Sequence, residues 1–205
     1  MHGLERGVHS FNLAHFADSP AGLTAVSLSA EAGVLVITCS DLGIDPYSLL
    51  GHNTANLHVL QNAGNMVKPF DATNPTSSDQ VECLVSQAHV DHIAVCGHLP
   101  CNVANALLQE AAYSEAPNVA RWLEYAAMTR SILAQHYSTL QRRFLHEVFV
   151  QENVLLQLEH LTTVPIVASR LTKGTLRLHG LVYSTNELFA YVPSKEQFMH
   201  LSDGG

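Results

Sequence analysis

The chain has 205 residues, 47% hydrophobic and 14% charged, enough apolar material for a sizeable core and too much for global disorder. Its formal net charge is -8, and its 10 Lys and Arg never cluster beyond Arg142-Arg143, which argues against nucleic acid or an anionic membrane as partner. No positive segment with an apolar core lies between Met1 and Ala30, and no apolar run reaches membrane-spanning length. Four cysteines in so long a chain do not suggest a disulfide framework, and clustered Cys and His in a reducing compartment point to metal or catalysis. We therefore expect a cytoplasmic protein. The low charged fraction also suggests that another subunit covers part of the surface.

In chain order, Leu4, Val8 and Phe11 share one helical stripe, so residues 1–30 are expected to form an N-terminal helical arm, weakened at Gly7. Ala17 to Ala32 is rich in turn formers and reads mostly as loop. The apolar run over 33–38 lacks alternation, as a strand covered on both faces should, and it ends in Cys39-Ser40-Asp41. Pro46 behind Asp45 opens a short helix. A second strand over 57–60 ends in Gln61-Asn62-Ala63-Gly64-Asn65, a tight turn where backbone amides can approach a ligand.

A polar loop then leads into a helix over about 77 to 89, capped by Ser77 or Ser78, with Val81, Leu84, Val85 and Ala88 inward. The third strand, 92–96, runs into Cys96-Gly97-His98-Leu99-Pro100-Cys101. Helices follow over about 103–112, 119–139 and 141–161, and Pro165 opens a short one to Leu171. The runs 176–183 and 188–192 read as a hairpin, and the tail after Ser202 as frayed. The whole is α/β: a central, mostly parallel β-sheet with an antiparallel edge strand, flanked by helices, in one domain spanning 1–205.

Both Cys-containing clusters follow a strand, at the sheet edge where ligands collect in open α/β folds. Cys39, His98 and Cys101 would bring together two thiolates and an imidazole, a donor set suited to zinc with an open fourth position. The competing reading is two core cysteines and a capped histidine. Cys96 is expected to be a buried small hydrophobe that strand alternation sends away from His98, and Cys83 to be structural. His52 and His58 lie near the site in sequence and could carry protons. His89 and His92 read as ordinary polar positions, His179 as satisfying a backbone group, and Trp122 and Tyr125 as packing.

Cys39-Ser40-Asp41, Asn62-Ala63-Gly64-Asn65 and Cys96-Gly97-His98-x-x-Cys101 resemble, in order and spacing, the signature blocks of the β-class carbonic anhydrases. Glu152-Asn153-Val154 and 176–183 resemble that family's later helix and closing strand, so the likeness spans roughly 33 to 192. The resemblance implies a zinc (Zn2+) enzyme, a homodimer or higher homo-oligomer, that interconverts carbon dioxide and bicarbonate. It implies Cys39, His98 and Cys101 as metal ligands and Asp41 as the catalytic carboxylate beside the metal. Gln61 and Gly64 would contact substrate.

The sequence departs from the family pattern at Leu42-Gly43, where Ser-Arg is usual, at Gln61, where Arg is usual, and at Asn102, where Gly is usual. The missing arginine normally pairs with the aspartate and keeps it off the metal, so Asp41 is expected to close the fourth zinc position for much of the time. Activity would then be low at neutral pH and rise in alkali. Two other readings compete: a pseudoenzyme that keeps zinc for structure, and a hydrolase of carbonyl sulfide or carbon disulfide.

Overall fold

The computed structural model describes residues 1, 3–16, 32–50, 56–73, 79–87, 89–109 and 115–201. Its strands are β1 (Val34–Cys39), β2 (Leu57–Asn62), β3 (His92–Leu99), β4 (Arg177–Ser184), β5 (Glu187–Val192) and β6 (Gln197–His200). The helices are α1 (Asp79–Gln87), α2 (Asn102–Leu108), α3 (Pro117–Leu123), α4 (Ala127–His136), α5 (Arg142–Thr163) and α6 (Pro165–Thr172). They build one six-stranded sheet in the order β2-β1-β3-β4-β5-β6. The first four of these strands run parallel, while β5 and β6 are antiparallel to their neighbours.

Every residue of β1 is buried, as expected of an apolar strand without alternation at the centre of a parallel sheet. Leu35, Ile37, Ile93, Val95, Leu178 and Val182 face the helices, against Val148, Leu155 and Leu158 of α5 and Val167 of α6. Val36, Ala94, Cys96 and Leu181 face the other way, towards Leu42, Leu49 and Leu50 of the segment after β1. Helix α5 lies so close to β3 that a Cβ at Gly97 would stand 2.7 Å from Val150 Cγ1. That glycine sets the distance between the helix and the strand carrying His98.

Four expectations change. The N-terminal arm is not helical between residues 3 and 16: Gly7 takes φ 78, and only Leu13–His15 makes a turn of 3₁₀-helix. The arm is pinned by side chains instead, above all by His9, whose Nε2 lies 2.7 Å from Glu152 Oε2 and whose Nδ1 lies 2.8 Å from Glu159 Oε1. The helix expected over 119–139 is divided into α3 and α4 by a 3₁₀ turn at Glu124–Ala126. Leu123, Ala126 and Thr129 are all buried, and their spacing of three suits the 3₁₀ period.

The hairpin acquires a third strand, β6, after a turn in which Glu196 has φ 51. Strand β3 also runs on to Leu99, so His98 is in the strand rather than past it. Most of the Ala17–Ala32 loop, the Ser77 and Ser78 caps, Ala88, His52, the end of the 103–112 helix and the tail after Leu201 lie outside the described residues.

Candidate metal centre

Cys39 is the last residue of β1, and Asp41 follows in the turn that Leu42 N–H closes on Cys39 O. His98 comes from the neighbouring strand β3, and Cys101 is the N-cap of α2, its Sγ accepting from Ala104 N–H. Parallel pairing of β1 and β3 thus carries residues 39 and 98 to the same sheet edge. One donor atom from each of the four residues lies within 4.8 Å of all the others. Cys39, His98 and Cys101 are buried, and Asp41 is partly open.

Asp41 sits at the middle of this group. Its Oδ1 is 2.6 Å from Cys39 Sγ, 2.7 Å from His98 Nε2 and 3.7 Å from Cys101 Sγ. Its Oδ2 accepts the backbone N–H of Asn102 at 2.8 Å. The Cys101 thiol hydrogen-bonded to Cys39, helped by His98, brings the Cys39 thiol down to about 5 against the opposing effect of burial. Cys101, beside that thiolate and buried, is driven up. Burial opposes the charge on Asp41, but Cys39, Asn102 and His98 hold its carboxyl below the usual carboxylate range. A metal ion would take the place of the protons these groups now share.

The donors fit zinc: two thiolates and an imidazole are its usual protein ligands, and a carboxylate can be the fourth. The sequence model of the family described as Carbonic anhydrase matches residues 34–187. The chain belongs to the β-class carbonic anhydrases.

It is 34% identical over 184 residues to a carbonic anhydrase of Synechococcus elongatus, covering 89% of this chain and 68% of that one. To a carbonic anhydrase of Pseudomonas aeruginosa it is 36% identical over 149 residues, 73% of this chain and 67% of the relative. The solved structure of the β-carbonic anhydrase CcaA matches with a TM-score of 0.74 at 33% identity, covering 88% of this chain and 89% of that one. This is a carbonic anhydrase, and its cofactor is zinc. The pseudoenzyme and the carbonyl sulfide or carbon disulfide readings are not favoured.

The other expected site residues fall nearby. Gln61 is exposed, its Nε2 3.5 Å from Cys39 O. Gly64, at φ 79, donates its N–H to Cys39 Sγ at 3.1 Å. A Cβ at Gly43 would have no atom within 4 Å, so the place where the family's arginine would start is open. Cys96 is fully buried, as expected, and burial raises its thiol to about 12. Strand alternation does not send Cys96 away from His98, because the two residues have the same parity on β3. Two residues of strand rise, about 7 Å, separate them.

His92 and His179 approach to 2.9 Å through Nδ1 and Nε2 at the opposite end of the sheet, so His179 is satisfied by a side chain rather than by backbone. Asn102, marked in the sequence only as a departure from the family's glycine, contributes a backbone N–H that any residue but proline would supply. Sequence reasoning passed over His146, whose Nε2 is 3.0 Å from Cys101 O. Its position on α5, forty-five residues away, left no local signal.

Proposed function

We propose that this enzyme reversibly hydrates carbon dioxide to bicarbonate at a zinc ion held by Cys39, His98 and Cys101, with Asp41 as a fourth donor that closes the site near neutral pH. The observation that carries this reading is the position of Asp41 Oδ1, within 2.6 to 3.7 Å of donor atoms from all three other residues. A zinc ion held there would supply hydroxide near pH ~7, although two thiolates would cancel its formal charge and weaken that effect. The remaining work falls to the chain. The Asn102 N–H orients the Asp41 carboxylate, and Gly64 N–H supports the Cys39 thiolate. Neither Gly43 nor Gln61 offers a guanidinium to draw the carboxylate away.

The open state would have Asp41 swung clear and accepting a hydrogen bond beside the reacting oxygen. A carboxylate held over the site would give way more readily as hydroxide becomes available, so activity is expected to climb with pH. Stopped-flow carbon dioxide hydration between about pH 7 and about pH 9 tests this. The expected result is a steep rise with alkali, and ordinary turnover at the neutral end would sink the closed-site reading. We further propose that residues 1–205 act as one domain, in a cytoplasmic homodimer or larger homo-oligomer. Among the described residues, no helix is long and apolar enough to cross a membrane.

A further inference from the structure

The segment after β2 is held from two sides. Trp122 of α3 donates its Nε1–H to Ala63 O at 3.0 Å. Asn153 of α5 donates its Nδ2–H to Gly64 O at 3.0 Å. The peptide between Ala63 and Gly64 therefore has its carbonyl fixed by Trp122, while its N–H points at Cys39 Sγ, 3.1 Å away. The next peptide is fixed by Asn153, whose Oδ1 in turn accepts from Gln157 Nε2 at 3.0 Å and Thr129 Oγ1 at 3.4 Å. Gln157 Oε1 accepts Val67 N–H at 2.8 Å, anchoring the same segment further along.

We propose that Trp122 is a positioning residue for the metal centre, acting on the Cys39 sulfur through the Ala63–Gly64 peptide, with Asn153 holding the adjoining peptide in register. Two hydrogen bonds at opposite ends of one peptide polarise each other, so the indole N–H strengthens the N–H donated to sulfur. A hydrogen bond to a ligating thiolate withdraws charge from it, which matters most where two thiolates already neutralise the metal. The backbone can take this path only because Gly64 sits at φ 79, where a Cβ would also stand 2.7 Å from Met66 Cε. The packing read into Trp122 is present too: its ring lies edge-on to Tyr125 and beneath Lys68 Nζ.

The inference rests on Cys39 being a metal ligand, and the experiment separates the two claims. Cobalt(II) replaces zinc in the 205-residue protein, and the sulfur-to-cobalt charge-transfer band is recorded for the wild type, Trp122→Phe and Cys39→Ser. Phe keeps an aromatic ring and loses the N–H donor together with part of the indole's volume. If the folded, cobalt-loaded Trp122→Phe protein shows the band moved to longer wavelength, with hydration activity down about tenfold, the proposal holds. A band unmoved in Trp122→Phe but weakened in Cys39→Ser overturns the positioning role and leaves the ligand intact. A band unaffected by Cys39→Ser overturns both. Should Trp122→Phe misfold, the benzothienylalanine analogue at position 122 keeps the indole shape with sulfur in place of N–H, and the same outcomes apply.

Discussion

The backbone N–H of Asn102 donates to Asp41 Oδ2 across 2.8 Å, so the first residue of α2 anchors the carboxylate that faces Cys39, His98 and Cys101. Proline is tolerated at a first helical position and removes that donor at small cost to the helix. Cys101 before it is extended, φ -125 and ψ 121, a conformation a following proline accepts. Asn102→Pro should loosen Asp41 and raise hydration near pH ~7 relative to pH ~9, by roughly threefold for one charge-assisted hydrogen bond shared with solvent. Stopped-flow rates at the two pH values check it, and an unchanged ratio would show that this tether does not govern closure.

Restoring the family's charges is the stronger perturbation. Gly43 has open space at its Cβ and Gln61 is exposed, so Gly43→Arg with Gln61→Arg should be accommodated without core strain. A guanidinium that captures Asp41 bidentately is expected to raise the neutral-pH rate by about tenfold or more, with little change in alkali. No gain would mean that the present site is complete without arginine.

His9 predicts a pH dependence of stability separate from the metal centre. Burial alone would lower its pKa, but Glu152 and Glu159 raise it from 6.5 to about 9. A group charged more readily in the folded state stabilises fully below its unfolded value and loses that contribution as pH rises through its folded one. The loss should fall between pH 6.5 and about 9, worth at most about 3 kcal/mol. Glu152 is also hydrogen-bonded to Tyr137, whose hydroxyl burial pushes up beyond that window. Urea midpoints across the window should fall in the wild type and stay nearly level in His9→Gln.

Metal removal should cost stability because the donors tie together the ends of β1 and β3 and the start of α2. Chelation is expected to lower Tm by about 5–10 °C, since a ligand bound only by the folded state stabilises it by mass action. Cys39→Ala should lose zinc, whereas Cys96→Ala should retain one equivalent per chain and show only a modest core defect. Zinc measured on the dialysed proteins distinguishes them.

Local signals account for what the sequence revealed. The apolar run over 33–38 and the apolar start of β3 marked buried strands, and parallel pairing brings the clusters after them to one sheet edge. Pro46 and Pro165 marked helix starts that the structure contains. Leu4, Val8 and Phe11 fit a helical period, but Gly7 at positive φ and the ion pairs of His9 favour an irregular, turn-containing arm. The third antiparallel strand was missed because its turn depends on Glu196 at positive φ, which composition does not announce.

The cluster of candidate metal donors was legible for a physical reason: two thiols and an imidazole placed at strand ends suit zinc, and strand pairing brings Cys39 and His98 together. The state of Asp41 was not legible in the same way. Sequence could state that Gly43 and Gln61 carry no charge, but only the tertiary structure put Asp41 Oδ1 among the donors and Oδ2 on Asn102 N–H. Nor could it connect Trp122 and Asn153 to Cys39. Those links run through backbone groups of Ala63 and Gly64, which every residue has and which acquire meaning only when α3 and α5 pack beside the sheet edge.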